Sequence, residues 1–220
     1  MQASATPKLV IFDCDGVLVD SELLANQVFL RKLQALGLKL DLIDLFERFV
    51  GRSMADCMSQ VEKMLGRKPP SNFLTELDAE TFEIFEQDLK SVSGIENVLQ
   101  HLDQLHIPYC VASSGSHVKM LKTLGLTGLW PRFEGRIFSA QQVARSKPFP
   151  DIYLFAAEQM GFQPVDAVVI EDSPTGALAG RAAGMKVYGY ANAQSETKLA
   201  QAGAILFQNM TELPKLLGLK

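Results

Sequence analysis

Five short, uninterrupted apolar runs constrain this chain more than any other feature: LVIF at 9–12, PYCVAS at 108–113, AVVIE at 167–171, KVYGY at 186–190 and AILF at 204–207. A strand with one face in water alternates apolar and polar residues, whereas a strand covered on both faces reads as a continuous apolar run. Helix-length segments at 94–105, 116–124, 151–161 and 174–183 lie between the later runs. Strand-length runs alternating with helices predict an α/β fold around a parallel sheet.

Residues 17–89 break that rhythm. SELLANQVFLRKLQALG has apolar positions at helical spacing and stops at Gly37, and MADCMSQVEKMLG does the same and stops at Gly66. A third segment, PPSNFLTELDAETFEIFEQDLK, follows two prolines, with Ser71 as the expected N-cap. The sequence therefore predicts an α/β domain of residues 1–16 and 90–220, interrupted after its first strand by a small all-helical domain of residues 17–89. A chain of 220 residues accommodates both. No repeat or low-complexity tract occurs.

Charge and cysteine content narrow the classes of function. The formal net charge is −4, with no basic run or tail, which argues against nucleic acid as a partner. Cys14, Cys57 and Cys110 are far apart and form no CxxC pair, so neither a disulfide framework nor a structural zinc site is expected. The start MQASATPK lacks the pattern of a signal peptide, and no apolar run approaches the roughly 20 residues that span a bilayer. A cytoplasmic protein with no membrane partner is the expectation.

The first strand runs directly into chemistry: KLVIFDCDGVLVDSE ends its apolar run at Asp13, and Asp15 and Gly16 follow. Ligands of open parallel sheets bind at the carboxyl ends of the strands. Side chains two apart on an extended segment point the same way, and two close carboxylates repel unless a cation screens them. Such a pair suits Mg²⁺, or a nucleophile beside a proton carrier. A plain turn is the other reading, because Asp and Gly both form turns.

Three further run ends carry polar residues. VASSG places Ser113 and Ser114 where a hydroxyl and backbone N–H groups suit a phosphoryl oxygen, or where a serine-rich loop simply begins. In ARSKPFPDIY, Lys147 precedes Pro148 and suits phosphate charge, although a lone lysine is more often only solubilising. VVIEDSPTG ends on Glu171 and Asp172, as metal ligands or as part of a helix cap in which Asp172 or Ser173 precedes Pro174 at N1.

These four motifs, in this order and spacing, resemble the haloacid dehalogenase-like hydrolases, and within them the phosphatases and phosphomutases similar to β-phosphoglucomutase. The resemblance covers essentially the whole chain and rests on DCDGVLVDSE, Ser113 of VASSG, Lys147 of SKPFPD, and EDSPTGALAG. It implies a Rossmann-like core with a helical cap. It also implies that Asp13 is the nucleophile, forming an aspartyl-phosphate, and that Asp15 is the general acid and then the base for water. Mg²⁺ would be held by Asp13, the backbone carbonyl of Asp15 and Asp172, with Glu171 helping through water. Ser113 and Lys147 would bind the transferring phosphoryl group, with rate coming from positioning and charge neutralisation.

The resemblance further implies a small phosphomonoester, a sugar phosphate or phosphosugar acid, as the partner of a monomer or weak homo-oligomer. Substrate contacts are expected from Ser114 and, in the helical segment, from Glu22, Asn26, Glu47, Arg48, Gly51, Arg52 and Ser53. The β-phosphoglucomutases usually carry an arginine after the Gly-x-Ser and a histidine in the first cap helix, where Met54 and Ala25 stand here. A phosphatase is therefore favoured over a mutase. Dehalogenases of the family normally lack the aspartate that Asp15 supplies. A receiver domain would need the acidic pair first and the phosphorylated aspartate near mid-sequence, and a dinucleotide site would need GxGxxG after the first strand. A phospholigand sensor without turnover is a further reading, disfavoured because every catalytic residue is present. Gly176, Gly180 and Gly184 are expected to allow close packing of a helix on the sheet, Cys14 to point away from the aspartates, and His117 to be structural.

Overall fold

The computed structural model describes residues 6–49 and 54–219. The chain divides into two compact units, one of Met1–Asp20 with Lys90–Lys220 and one of Ser21–Leu89. Among the described residues, the first unit holds one six-stranded sheet: β1 (Leu9–Phe12), β2 (Tyr109–Ser113), β3 (Ile137–Ser139), β4 (Ala167–Glu171), β5 (Lys186–Tyr190) and β6 (Ile205–Phe207). Their order is β3-β2-β1-β4-β5-β6, and every neighbouring pair is parallel. Leu9 to Phe12 are fully buried, as their unbroken apolar run predicts. Burying each such side chain contributes roughly 1.5–3 kcal/mol.

The position of β1 decides where chemistry can occur. The chain leaves β1 for β2 on one side, and β4 fills the other, so β1 lies at the point where the strand order reverses. Phe12 pairs with Val111 of β2 and Ile170 of β4. The next residue, Asp13, donates its N–H to the Ile170 carbonyl at 2.9 Å, which keeps its backbone in the ladder. Residues just past Phe12, Val111 and Ile170 are thereby brought to one edge.

Val17 to Asp20, placed with the helical segment on sequence grounds, fall in the first unit. The N–H groups of Leu18 and Val19 both donate to the Cys14 carbonyl, and Gly16 N–H donates to Val19. The strand-like return is bound to the same stretch, with Asp20 N–H on Lys90 and Val92 N–H on Leu18. Val17, Leu18 and Val19 are fully buried, so the apolar VLV that follows the motif is core.

The second unit is α1 (Glu22–Ala35), α2 (Leu42–Arg48), α3 (Met54–Leu65) and α4 (Phe73–Asp88). Its core gathers Val28, Phe29, Leu33, Leu45, Phe49, Val61, Phe73 and Leu77, with Phe29 edge-on to Phe49 and Phe73. Lys32 on α1 bonds Glu76 at 2.7 Å and Glu80 at 2.8 Å, two residues one turn apart on α4. Helix α2 was not expected. It is short but carries a capping box, in which Asp41 and Asp44 each accept the other's backbone N–H. Asn72, and not Ser71, stands at the N-cap of α4.

Back in the first unit follow α5 (Ile95–Gln104), α6 (His117–Leu126), α7 (Trp130–Phe133), α8 (Asp151–Gln159), α9 (Pro174–Ala182), α10 (Glu196–Gln201) and α11 (Leu213–Leu216). Strand β3 escaped the sequence because IFS offers only two apolar residues in a row, and its partner set, not its composition, makes it a strand. The three spaced glycines of α9 and its end turn out to serve different ends. A Cβ on Gly180 would meet Val187 Cγ2 at 2.7 Å, which is the expected close packing on the sheet. Gly184 touches nothing in this way, and Gly176 faces a carboxylate described below.

Candidate active site

Asp13 leaves β1 with its side chain directed at a buried lysine. Lys147 Nζ lies 2.6 Å from Asp13 Oδ1, 2.7 Å from Glu171 Oε1 and 3.3 Å from the Ala112 carbonyl oxygen. The three side chains are 5% (Lys147), 11% (Asp13) and 1% (Glu171) exposed, so this is a buried cluster of two carboxylates on one ammonium. Lys147 is therefore not a solubilising lysine. It comes from the loop before α8 and also lies 4.8 Å from the centre of the Tyr153 ring.

Glu171, at the end of β4, accepts from four donors. Lys147 and the Tyr153 hydroxyl (2.9 Å) reach Oε1, and the backbone N–H and hydroxyl of Ser173 (2.8 Å each) reach Oε2. Ser173 also caps α9, where its Oγ accepts from Gly176 N–H at 3.0 Å, with Pro174 at N1. A Cβ on Gly176 would lie 1.5 Å from Glu171 Oε1, so the space of that missing side chain is filled by the glutamate.

The charges do not balance. Burial raises the Asp13 carboxyl to about 7, opposed by Lys147 and reinforced by Glu171. Burial also presses Glu171 upward, but the ammonium of Lys147 and the donors of Ser173 outweigh it and hold Glu171 below the usual carboxylate range. Lys147 stays charged, because Asp13 and Glu171 overcome the cost of burying it. One cation thus serves two buried carboxylates, and the surplus falls on Asp13.

A third carboxylate joins them. Asp13, Glu171 and Asp172 each offer an oxygen, all within 4.8 Å of one another. Gly16, at φ +75°, leaves the room for Asp172: a Cβ there would lie 1.9 Å from Asp172 Oδ2. Hard oxygen donors, an excess of negative charge and a cradle that a side chain would fill together fit a divalent cation such as Mg²⁺.

Asp15 has a different cation from that of Asp13. Lys119 Nζ, on α6, donates to Asp15 Oδ2 at 2.8 Å, with the two side chains 33% and 26% exposed. Between the aspartates, Cys14 is buried with Sγ 3.9 Å from Thr123 Oγ1, and burial followed by the nearby charges of Asp15 and Asp13 pushes its thiol well above the ordinary value. Ser113 ends β2, is buried, and accepts from Gly115 N–H at 3.0 Å. Ser114 is exposed, and His117 opens α6 with its backbone N–H on Gln141 Oε1.

The remaining residues predicted to touch substrate lie in the second unit. Glu22 and Asn26 are one turn apart on α1, Glu47 and Arg48 end α2, and Arg48 pairs with Asp44 at 3.6 Å. Gly51, Arg52 and Ser53 lie outside the described residues. Sequence reasoning missed Lys119 and Tyr153. Neither stands at a strand end or in one of the four motifs of the resemblance, the signals that found the others.

Comparison with known proteins finds relatives along most of the chain. A family model described as haloacid dehalogenase-like hydrolase matches residues 7–184. The chain belongs to this hydrolase family. It is 28% identical to the 6-phosphogluconate phosphatase of Escherichia coli, over 94% of this chain and 93% of that one. It is 30% identical to a phosphorylated carbohydrates phosphatase of Thermotoga maritima, over 93% and 95%. A crystal structure of a haloacid dehalogenase family hydrolase from Deinococcus radiodurans, with bound phosphate and sodium, superposes with a TM-score of 0.84 at 31% identity, covering 98% of each chain. Membership in the haloacid dehalogenase-like hydrolases removes the receiver and dinucleotide readings of the carboxylate cluster. No helix among the described residues is long and apolar enough to cross a membrane.

Proposed function

We propose that this hydrolase is a Mg²⁺-dependent phosphatase that splits a small phosphomonoester, a sugar phosphate or phosphosugar acid, through a phosphorylated Asp13. The observation that carries the reading is the division of cations between the two aspartates. Asp13 lies in a buried cluster with Glu171 and Lys147, next to Asp172. Asp15 stands apart on Lys119. One carboxylate is thus set where a metal and a phosphoryl group would concentrate charge, and the other, paired with Lys119, is the one proposed for proton work.

The chemistry follows from those surroundings. An oxygen of Asp13 attacks phosphorus, the bond from phosphorus to the ester oxygen breaks, and Asp15 gives its proton to the departing oxygen. Asp15, now a carboxylate, takes a proton from water. That water attacks the phosphorus, breaks its bond to Asp13 and releases inorganic phosphate. Lys147 holds Asp13 in place by its bond to Oδ1, and Ser113 ends β2 as the hydroxyl proposed for a phosphoryl oxygen. Asp13, Asp172 and the backbone carbonyl of Asp15 would hold Mg²⁺, which when bound would offset the charge of the phosphate. Glu171, engaged by four donors, supports that set from outside it.

The ester class draws support from the sugar phosphates and sugar acid named for the two phosphatase relatives. On sequence grounds Ser114, Glu22, Asn26, Glu47, Arg48, Gly51, Arg52 and Ser53 are the proposed selectors of the ester. Phosphate release from sugar phosphates, phosphosugar acids and nucleotides, measured with Mg²⁺, tests the whole reading. Release that disappears with EDTA and in Asp13→Asn is the expected result. Conversion of β-glucose 1-phosphate to glucose 6-phosphate without release would replace the phosphatase by a mutase.

A further inference from the structure

We propose that Lys119 is a positioning residue for the reaction, fixing where the carboxyl group of Asp15 sits relative to the leaving oxygen. This rests on the phosphatase reading above. A general acid works only within hydrogen-bond reach of the atom it protonates, and a misplacement of 1 Å costs about 100-fold. Asp15 begins a tight turn, bridged to Val19, and its side chain is partly exposed, so the backbone alone leaves its rotamer open. The 2.8 Å bond from Lys119 Nζ restrains that side chain directly.

Lys119 is itself held. It lies in the first turn of α6, and its own backbone N–H donates to the N-cap Ser116 at 3.2 Å. The loop before that cap is fixed on both sides of one residue: Gly115 N–H donates to Ser113 Oγ at 3.0 Å, and Ser139 Oγ donates to the Gly115 carbonyl at 2.7 Å. Gly115 also brings the partners together. A Cβ placed there would lie 3.6 Å from Lys119 Cδ, 3.7 Å from Asp15 Oδ2 and 3.4 Å from Ser113 Oγ. The lysine stem, the acid and the serine that ends β2 therefore crowd around one small residue. A lysine that merely solubilised the helix would have no reason to be threaded past it.

The leaving group separates this role from a structural one. A sugar alkoxide needs its proton as the bond breaks, whereas p-nitrophenolate leaves as a stable anion, and kcat/KM covers every step up to that departure. The fastest sugar phosphate of the panel and p-nitrophenyl phosphate are compared for wild type, Lys119→Met and Lys119→Arg. In Lys119→Met, kcat/KM on the sugar phosphate is expected to fall about 10–100-fold and that on p-nitrophenyl phosphate by less than about three-fold. Lys119→Arg, which keeps a charged donor, recovers part of the loss on the sugar ester. Equal losses on both esters, or none on either, overturn the role of Lys119 while the wild-type activity leaves the phosphatase reading standing. A wild type silent on every ester overturns both. Should Lys119→Met melt early, Lys119→Gln is read in its place.

Discussion

Asp13 and Asp15 are two residues apart, and each touches a lysine, yet the two pairs are different physical objects. The Lys147 cluster is buried and sets two carboxylates on one ammonium, whereas Lys119 and Asp15 are 33% and 26% exposed. A buried charge without its partner is costly, and a partly exposed pair exchanges its partner for water at less loss. The difference teaches that the same residue types at nearly the same place serve opposite needs. In the proposed mechanism one pair would hold charge in place for a phosphoryl group, and the other would hold an acid that must change its protonation state.

The comparison can be broken most directly at Lys147. Lys147→Met leaves Asp13 and Glu171 buried together without their cation. It is expected to destabilise the fold by about 3–5 kcal/mol and to abolish phosphate release. A variant that melts with the wild type in denaturant titration would mean the cluster is not electrostatically coupled.

A smaller effect is expected from the ion itself. If the surplus charge on Asp13 is what Mg²⁺ answers, the ion binds the folded state selectively. Mg²⁺ at a hundred times its Kd then stabilises by about 2.7 kcal/mol. Thermal melts in Mg²⁺ against EDTA should show the shift, and Asp13→Asn should lose most of it. A wild-type melting temperature indifferent to Mg²⁺ would remove the cation from this account.

The smallest effect belongs to the exposed pair. Lys119→Met is expected to change stability by only about 0.2–1 kcal/mol, the range of solvent-accessible ion pairs. Equilibrium unfolding beside the Lys147 variant sharpens the contrast. A Lys119 loss as large as that of Lys147 would mean the two sites are one coupled network.

Much of this arrangement was legible in the chain because it is local. An apolar run covered on both faces announces its own strand, and the residue that ends the run is by geometry at the strand's carboxyl end. Asp13, Ser113 and Glu171 needed no more than that. Helix α2 and strand β3 were missed because the seven residues of α2 are too few for a periodic signal and IFS holds only two apolar residues in a row. The exit of the chain from the first unit was set four residues early, because the bonds that retain Val17 to Asp20 run to Cys14 and to Lys90–Val92.

What the sequence determined by itself is thus the fold class, the parallel sheet, and the identity of the acidic and hydroxyl groups at its strand ends and of the lysine in SKPFPD. The tertiary structure alone decided which charge meets which. Lys147 reaches Asp13 across 134 residues of chain and Lys119 reaches Asp15 across 104. Those meetings depend on the order of strands in the sheet, which no local pattern encodes. Tyr153 under Lys147, the room that Gly176 leaves for Glu171, and the separate cation of Asp15 follow from the same cause. Backbone preference is written residue by residue, whereas electrostatic balance belongs to side chains brought together only when the sheet has closed.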